Sequence, residues 1–95
     1  MKIKILDHEI DVEYCNPNIW AENGLGRCSA GLLKILVSNK AAKDIQDSTV
    51  LHEIIHMIFD LNSLEYHEST VDALALGINS LIKNNPELIK ILQEK

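Results

Sequence analysis

Apolar and charged residues alternate over the first part of the chain, which is the pattern of half-buried β-strands. The runs are separated by a polar break at Asp7 and His8. We therefore predict a β-hairpin over residues 2–14, with His8 in its turn. The apolar positions of the two alternating runs are Ile3, Ile5, Ile10, Val12 and Tyr14.

A third strand is predicted at residues 32–38, where aliphatic and β-branched side chains are typical of a mostly buried strand. Residues 16–18 are turn-like in composition, and residues 19–31 form a loop or a short irregular element. This second segment holds Trp20, which we expect in the core, and three of the four glycines. The sequence thus predicts a small three-stranded sheet, antiparallel or mixed.

The second half of the chain is predicted to be helical, after a polar connector over residues 39–46. Residues 47–49 are Asp, Ser and Thr, and they supply N-cap chemistry for a first helix that ends near Leu61. A second helix is predicted over residues 65–83 and a third over residues 86–94.

Asn85 and Pro86 mark the start of the third helix, because asparagine is favoured at the N-cap and proline at the first helical position. Strands followed by helices indicate an α+β fold. A chain of 95 residues is long enough for one small domain and too short for two. We expect a single domain, residues 1–95, with a strand-rich portion at 1–38 and a helical portion at 47–95.

Composition narrows the classes of function. Hydrophobic residues make up 46% of the chain and charged residues 24%, which excludes a disordered tail or a fibrous repeat. A net charge of −5 with a single arginine argues against nucleic acid as the principal ligand. The longest uncharged apolar stretch, residues 54–59, is far shorter than the ~20 residues of a membrane span. With no apolar leader at the N-terminus, we expect a cytoplasmic protein without a membrane partner.

The two cysteines, Cys15 and Cys28, do not have the spacing of a metal-ligand pair. In a cytoplasmic protein, free buried thiols are the expected interpretation, and a disulfide or a ligand pair is the alternative.

The first predicted helix is apolar nearly all round, so we expect it to be central and buried. The few polar side chains of this helix include two imidazoles and two carboxylates. Burying these groups without partners would cost about 2 kcal/mol or more for each group. A divalent cation would offset that cost. The polar exceptions share one helical face and are Thr49, His52, Glu53, His56 and Asp60.

Within this stripe, His52, Glu53 and His56 form the motif HExxH. Residues four apart lie on one helical face with Cβ atoms about 6 Å apart, so both imidazoles can bind one Zn²⁺. Glu53 is turned by about 100° around the helix axis and flanks the metal, where it can accept a proton from water. On the alternative interpretation, these residues are solvated or satisfied side chains without a metal.

A catalytic zinc usually has three protein ligands and one water. A second helix packed antiparallel to the first, after a short turn, would bring Glu68 near His56 and Asp72 near His52. Asp72 can then accept the remaining N–H of His52, and we favour Glu68 over His67 because only Glu68 has such a partner. The alternatives are His67 as third ligand and an ordinary solvated Glu–Asp pair. The downstream candidates are Glu65, His67, Glu68 and Asp72.

With these residues, the sequence resembles the gluzincin type of zincin metallopeptidase, in which HExxH is followed by a helix carrying ExxxD. Residues 49–59 and 85–88 resemble those of small phage- and prophage-encoded zinc peptidases, and more distantly ImmA/IrrE- and SprT-type domains. The resemblance covers about residues 45–92. It implies a minimal zincin-like fold, in which a small sheet packs on the HExxH helix and two further helices. It also implies a Zn²⁺ site made by His52, His56 and Glu68.

The resemblance implies hydrolysis of peptide or protein substrates. Zn²⁺ would activate a water, and Glu53 would take its proton as general base and return it to the leaving amine. Tyr66 or His67 would donate a hydrogen bond to the oxyanion. The extended substrate would pair with the strand at residues 32–38. Asp60 would bond to a ligand histidine or cap the helix end.

The chain departs from the larger members of this type in one respect. Only eleven residues separate His56 from Glu68, so the turn between the helices must be tight. The metzincin spacing is absent, because position 62 is asparagine.

The small size leaves three classes of function open. The first class is an active peptidase, in which a homodimer would complete the far wall of the substrate cleft, or cleavage would be restricted to unfolded segments. The competing class is a catalytically inactive zinc-binding regulatory or interaction module of phage type. The third class is a metal-free helical adaptor. A catalytic site would show three protein ligands plus water and a structural site four, and Mn²⁺, Fe²⁺ or Co²⁺ can replace Zn²⁺.

Overall fold

The computed structural model describes residues 1–16 and 25–94. The predicted core position of Trp20 and most of the predicted turn at residues 16–18 lie outside these described residues. The described part of the chain contains four strands and three helices, in agreement with the predicted α+β class. Their bounds are β1 Lys2–Ile5, β2 His8–Cys15, β3 Gly26–Ser29, β4 Lys34–Ser38, α1 Lys43–Leu61, α2 Glu68–Asn84 and α3 Pro86–Gln93.

β1 and β2 pair antiparallel and form the predicted hairpin. Ile5 lies opposite His8, so the turn consists of Leu6 and Asp7 alone. Leu6 has a φ of 55°, and a left-handed residue is common in such two-residue hairpin loops. The prediction of His8 in the turn was wrong, because the tight turn ends at Asp7 and the exposed His8 opens β2.

The sheet has four strands in the order β1-β2-β4-β3, one more than predicted. β2 and β4 run parallel, and β3 pairs antiparallel with β4. The additional strand, β3, has only four residues and no β-branched side chain, so the sequence carries no strand signal there. β4 has partners on both sides, so the prediction that residues 32–38 form the edge for a substrate was wrong. Among the described strands, β3 is the edge on that side of the sheet.

α1 packs on β3 and β4 with one side and on α2 with another, and α3 packs on α2. The sheet side of α1 contributes to the larger core cluster, and its other side packs on α2 through Ile55, Val71 and Ala75. This position explains why α1 is apolar on most of its surface, although Ile58 is 39% exposed. Phe59 packs against the α1–α2 cluster. The larger cluster is built on Ile5, Ile10, Val12, Ile35, Val37 and Met57.

The first helix begins at Lys43, several residues before the predicted start. Its N-cap, Ala42, makes no side-chain capping bond. The predicted cap residues lie inside the helix instead, where the hydroxyls of Ser48 and Thr49 donate to the carbonyl of Ile45. Serine and threonine satisfy their hydroxyls in this way within helices, so their presence did not mark the helix start.

The connection between α1 and α2 is as short as the sequence required. Ser63, with a φ of 54°, follows the C-cap Asn62, and residues 64–67 lead directly to α2. The second helix begins at Glu68, three residues later than predicted. Asn85 occupies the N-cap position of α3, but its amide donates to the carbonyl of Leu81 instead of capping the helix. No helix within residues 1–16 and 25–94 has the length and apolar character needed to cross a bilayer.

Candidate metal centre

His52 and His56 lie one helical turn apart on α1, and their Nε2 atoms are 3.1 Å from each other. Glu68, the first residue of α2, places its Oε1 atom 2.9 Å from Nε2 of His52 and 3.0 Å from Nε2 of His56. The packing of α2 against α1 therefore brings the three predicted ligands together. One ligand atom from each side chain converges on a common point.

The second nitrogen of each ring has its own partner. Nδ1 of His52 lies 3.2 Å from Oδ1 of Asp72, and Nδ1 of His56 lies 2.8 Å from the hydroxyl oxygen of Tyr66. An ionised carboxylate only accepts, so a neutral His52 carries its proton on Nδ1 and presents a lone pair at Nε2. When His56 donates in the same way to Tyr66, both lone pairs and the Glu68 oxygen face one another. Such an arrangement is repulsive without a cation among the three atoms.

The donor set fits a divalent transition metal. Two imidazole nitrogens and one carboxylate oxygen are favoured ligands of Zn²⁺, and their separations approach the ~3.3 Å expected for tetrahedral bonds of ~2.0–2.1 Å. Exposure of the side chains rises from 14% for His56 and 25% for His52 to 61% for Glu68. The cluster is thus open to solvent on the side of Glu68, which leaves access for a water or a substrate.

The two glutamates of the site differ in their affinity for protons. Desolvation raises the pKa of Glu68, but in the metal-free protein the hydrogen bonds and charge of protonated His56 and His52 outweigh it, so its pKa lies below the usual value. Glu53 is only 7% exposed, and burial raises its pKa, with partial compensation from the charges of His56 and His52. Glu68 is therefore suited to be an anionic ligand, and Glu53 to accept a proton.

β3 approaches α1 closely at Gly26, beside Glu53. A Cβ atom on Gly26 would lie 2.5 Å from Cγ2 of Thr49, 3.0 Å from Cγ of Glu53 and 3.3 Å from Oε2 of Glu53. The first distance is shorter than any van der Waals contact, so only glycine permits this approach of strand and helix. Gly26 thereby sets the distance between the edge strand and the Glu53 carboxylate, a role that the sequence did not indicate.

Replacing Gly26 by alanine is expected to lower the free energy of unfolding by about 1–3 kcal/mol, as overpacking of a tight contact typically does. Urea denaturation followed by circular dichroism measures this change. Gly31→Ala is the matched control, because a Cβ atom at Gly31 meets nothing within 4 Å. An equal loss of stability in both variants would contradict the steric explanation.

A second substitution identifies the atom responsible. Thr49→Ser removes the Cγ2 methyl but keeps the hydroxyl that donates to the Ile45 carbonyl at 2.7 Å. Combined with Gly26→Ala, this change is expected to recover at least about half of the lost stability, as a coupled pair of contacting residues should. Strictly additive losses would show that Thr49 is not the residue that Gly26 accommodates.

The two candidates for the third ligand occupy different positions. His67 is exposed at the N-cap of α2, and its carbonyl accepts from the backbone amides of Thr70 and Val71. Among the described residues, the cluster that can hold a metal comprises His52, His56 and Glu68 and does not include His67. The geometry therefore favours the Glu68 alternative of the sequence analysis.

The other predicted site residues lie around this cluster. Tyr66 contacts His56, and burial is the first cause of a raised pKa that keeps its hydroxyl protonated. A phenol oxygen can accept one hydrogen bond and still donate its own proton, so the contact with His56 is compatible with the predicted role of Tyr66 at an oxyanion. That role stays a prediction, as does the role of His67. Asp60 is exposed, and its carbonyl accepts from the amide of Ser63 at the end of α1.

Asp72 has the position predicted for it, beside His52. Replacing Asp72 by alanine is expected to weaken zinc binding by about 10–100-fold, because the aspartate fixes the tautomer and orientation of the ligand ring. Competition with a chromophoric chelator measures the dissociation constant. Glu65→Ala removes an exposed carboxylate just before α2 and serves as the control for net charge. An equal weakening by both substitutions would refute a specific role for Asp72.

Cys15 and Cys28 are both half-buried and carry thiols instead of a shared disulfide, as expected. Burial, and then the negative charges of Glu53 and Asp60, raise the pKa of the Cys28 thiol to about 12. Cys28 is therefore protonated at neutral pH and is not a thiolate nucleophile, although it lies near the site.

Two parts of the site were missed by the sequence analysis. The first is the edge strand β3 with Gly26, for which the glycines of residues 19–31 were the only available signal. The second is a pocket beside the cluster, lined by residues of β3, α1 and α2. It depends on contacts between elements distant in the chain, for which the sequence has no local pattern.

Comparisons with protein family models, with curated proteins and with solved structures give no significant match to this chain.

Proposed function

We propose that this chain is a zinc-dependent metallopeptidase with a minimal zincin-like, gluzincin-type site. The observation that carries the proposal is the convergence of His52, His56 and Glu68, with ligand atoms 2.9–3.1 Å apart, beside the buried Glu53. A structural zinc site is usually closed by four protein ligands, whereas a catalytic site keeps one position open. Three converging ligands on a solvent-facing side support the catalytic class.

The ligand side chains and their partners hold the site in a fixed geometry. Asp72 and Tyr66 orient the rings of His52 and His56, and Glu68 supplies one negative charge. A bound divalent cation supplies Lewis acidity, which lowers the pKa of water toward ~7 and polarises a peptide carbonyl.

Glu53 is the residue that moves the proton in this proposal. Its raised pKa makes it a better proton acceptor than an exposed glutamate, and it lies on the helix next to the first ligand. It accepts the proton of the attacking water and delivers it to the amine nitrogen as the peptide bond breaks. The burial of Glu53 limits exchange of this proton with bulk water.

The edge strand β3 offers the substrate a place beside Glu53. The Ser38 amide donates to the Leu25 carbonyl at 2.8 Å, so the alternation of an antiparallel pair points the amide and carbonyl of Gly26 away from β4. An extended peptide that pairs with this edge would run along α1 at the level of Glu53. We therefore place the substrate on β3 in this proposal, and not on β4.

The test is hydrolysis of a fluorescence-quenched casein by the zinc-loaded protein. Activity is expected to disappear with 1,10-phenanthroline and to return when Zn²⁺ is added back. X-ray absorption at the zinc edge should show two imidazoles and two oxygen ligands. Stoichiometric zinc with four protein ligands and no hydrolysis would instead identify a zinc-binding interaction module. A chain that binds no zinc would instead support the third class of function, the metal-free helical adaptor.

A further inference from the structure

A pocket of about 510 Å³ lies directly beside the metal ligands, between β3, α1 and α2. It touches the candidate centre through His52, Glu53 and Asp72. Its apolar lining residues include Leu25, Ala75 and Leu76, and most of its lining surface is apolar. Its volume falls within the range of about 300–1,000 Å³ that is typical of ligand sites.

Two leucines at this pocket are exposed to solvent although they are apolar. Leu25, the residue just before β3, is 54% exposed, and Leu76, in the middle of α2, is 68% exposed. Covering such surfaces with an apolar group is favourable by roughly 25 cal/mol for each Å² removed from water. The pocket therefore has a preference for an apolar occupant.

Three polar side chains that line the pocket, Ser48, Thr49 and Asp72, are already engaged elsewhere. The hydroxyls of Ser48 and Thr49 donate to the Ile45 carbonyl within α1. Asp72 contacts Nδ1 of His52, and Glu53 packs against Gly26. Among the described residues, the pocket lining has no lysine or arginine, and it contains the carboxylates of Glu53 and Asp72, which would repel an acidic side chain.

We infer that this pocket binds an uncharged aliphatic or aromatic side chain of the substrate residue next to the cleaved peptide bond. This inference rests on the proposed peptidase function, and it names the substrate class as peptides with a leucine-like residue at the cleavage site. Leu25 and Leu76 contact the side chain and determine specificity, and Ala75 leaves the space that the side chain fills.

The first test measures binding without hydrolysis. N-acetyl-leucinamide is titrated into the metal-free and the zinc-loaded protein, and amide shifts are followed by NMR. Saturable shifts are expected at Leu25, Ala75 and Leu76, with weaker or no binding of the aspartate and lysine analogues. Leu76→Asp is expected to weaken binding of the leucine probe by at least about 10-fold, the scale of a lost apolar contact.

Leu74→Asp is the matched control, because Leu74 is an exposed leucine of the same helix that does not line the pocket. It is expected to leave the affinity for N-acetyl-leucinamide unchanged. Equal effects of the two variants, no saturable shifts, or tighter binding of the lysine analogue would each overturn the inference. Because the probe is not cleaved, these outcomes do not depend on peptidase activity.

The second test is cleavage-site profiling of a peptide library by mass spectrometry. Apolar residues are expected next to the cleaved bond, with a preference of at least about 10-fold that Leu76→Asp reduces. Cleavage without this preference overturns the pocket assignment while the peptidase proposal stands. Binding of the leucine probe without any cleavage supports the pocket and contradicts the peptidase proposal.

Discussion

Replacing Glu53 by glutamine is expected to lower kcat for peptide hydrolysis by about 10²–10⁴-fold, the contribution typical of a general base. Glutamine has nearly the same shape as glutamate, so zinc content and fold should be retained. It cannot accept the proton, so hydrolysis should be slowed. The buried position of Glu53 against Gly26 makes this isosteric change preferable to alanine, which would leave a space. Steady-state kinetics with a quenched peptide and metal analysis measure both properties.

Asp44→Asn is the control for this experiment, since Asp44 is an exposed carboxylate in the first turn of the same helix. It should not change kcat. Loss of zinc in Glu53→Gln would mean that Glu53 is a ligand and not a base. Unchanged turnover in a zinc-loaded Glu53→Gln protein would refute the assignment of the general base.

Removing a ligand is expected to have the largest effect on metal binding. His52→Ala and Glu68→Ala should each weaken zinc binding by more than about 100-fold, because even the loss of a residue that supports a ligand costs 10–100-fold. Both substitutions also remove the 2.9 Å contact between His52 and Glu68, which joins α1 and α2 at the site. Dissociation constants from chelator competition, and zinc per chain after dialysis, provide the measurements.

His67→Ala distinguishes the two candidates for the third ligand. His67 precedes Glu68 directly and is exposed, so its removal tests the same segment without touching the cluster. Zinc binding is expected to stay unchanged. Retention of zinc in Glu68→Ala together with its loss in His67→Ala would reverse the ligand assignment.

The helical half of the chain was predictable because its chemistry is local. Residues four apart meet on a helix, so HExxH placed His52 and His56 on one face before any tertiary contact was known. The same rule placed Glu68 and Asp72 one turn apart on α2. The two pairs meet because the connection between α1 and α2 is short, so the two helices must pack closely and antiparallel.

The start of α1 and the number of strands were less predictable. Ser48 and Thr49 are favoured at N-caps, but the helix continues through them because their hydroxyls are satisfied by the carbonyl of Ile45. β3 is stabilised by pairing with β4 and by packing on α1, and its four residues have no strand propensity of their own.

By itself, the sequence determined the α+β order, because local patterns mark strands and helices. It also determined the shared face of His52 and His56 on α1 and the spacing of Glu68 and Asp72, because each pair lies within one helical turn. Only the tertiary structure brought Oε1 of Glu68 within 3.0 Å of both imidazoles, placed Tyr66 on His56, and put β3 at the edge beside Glu53. These features depend on contacts between separate elements and not on residues within one helical turn. Such contacts are decided by close packing, as the fit of Gly26 against Thr49 illustrates.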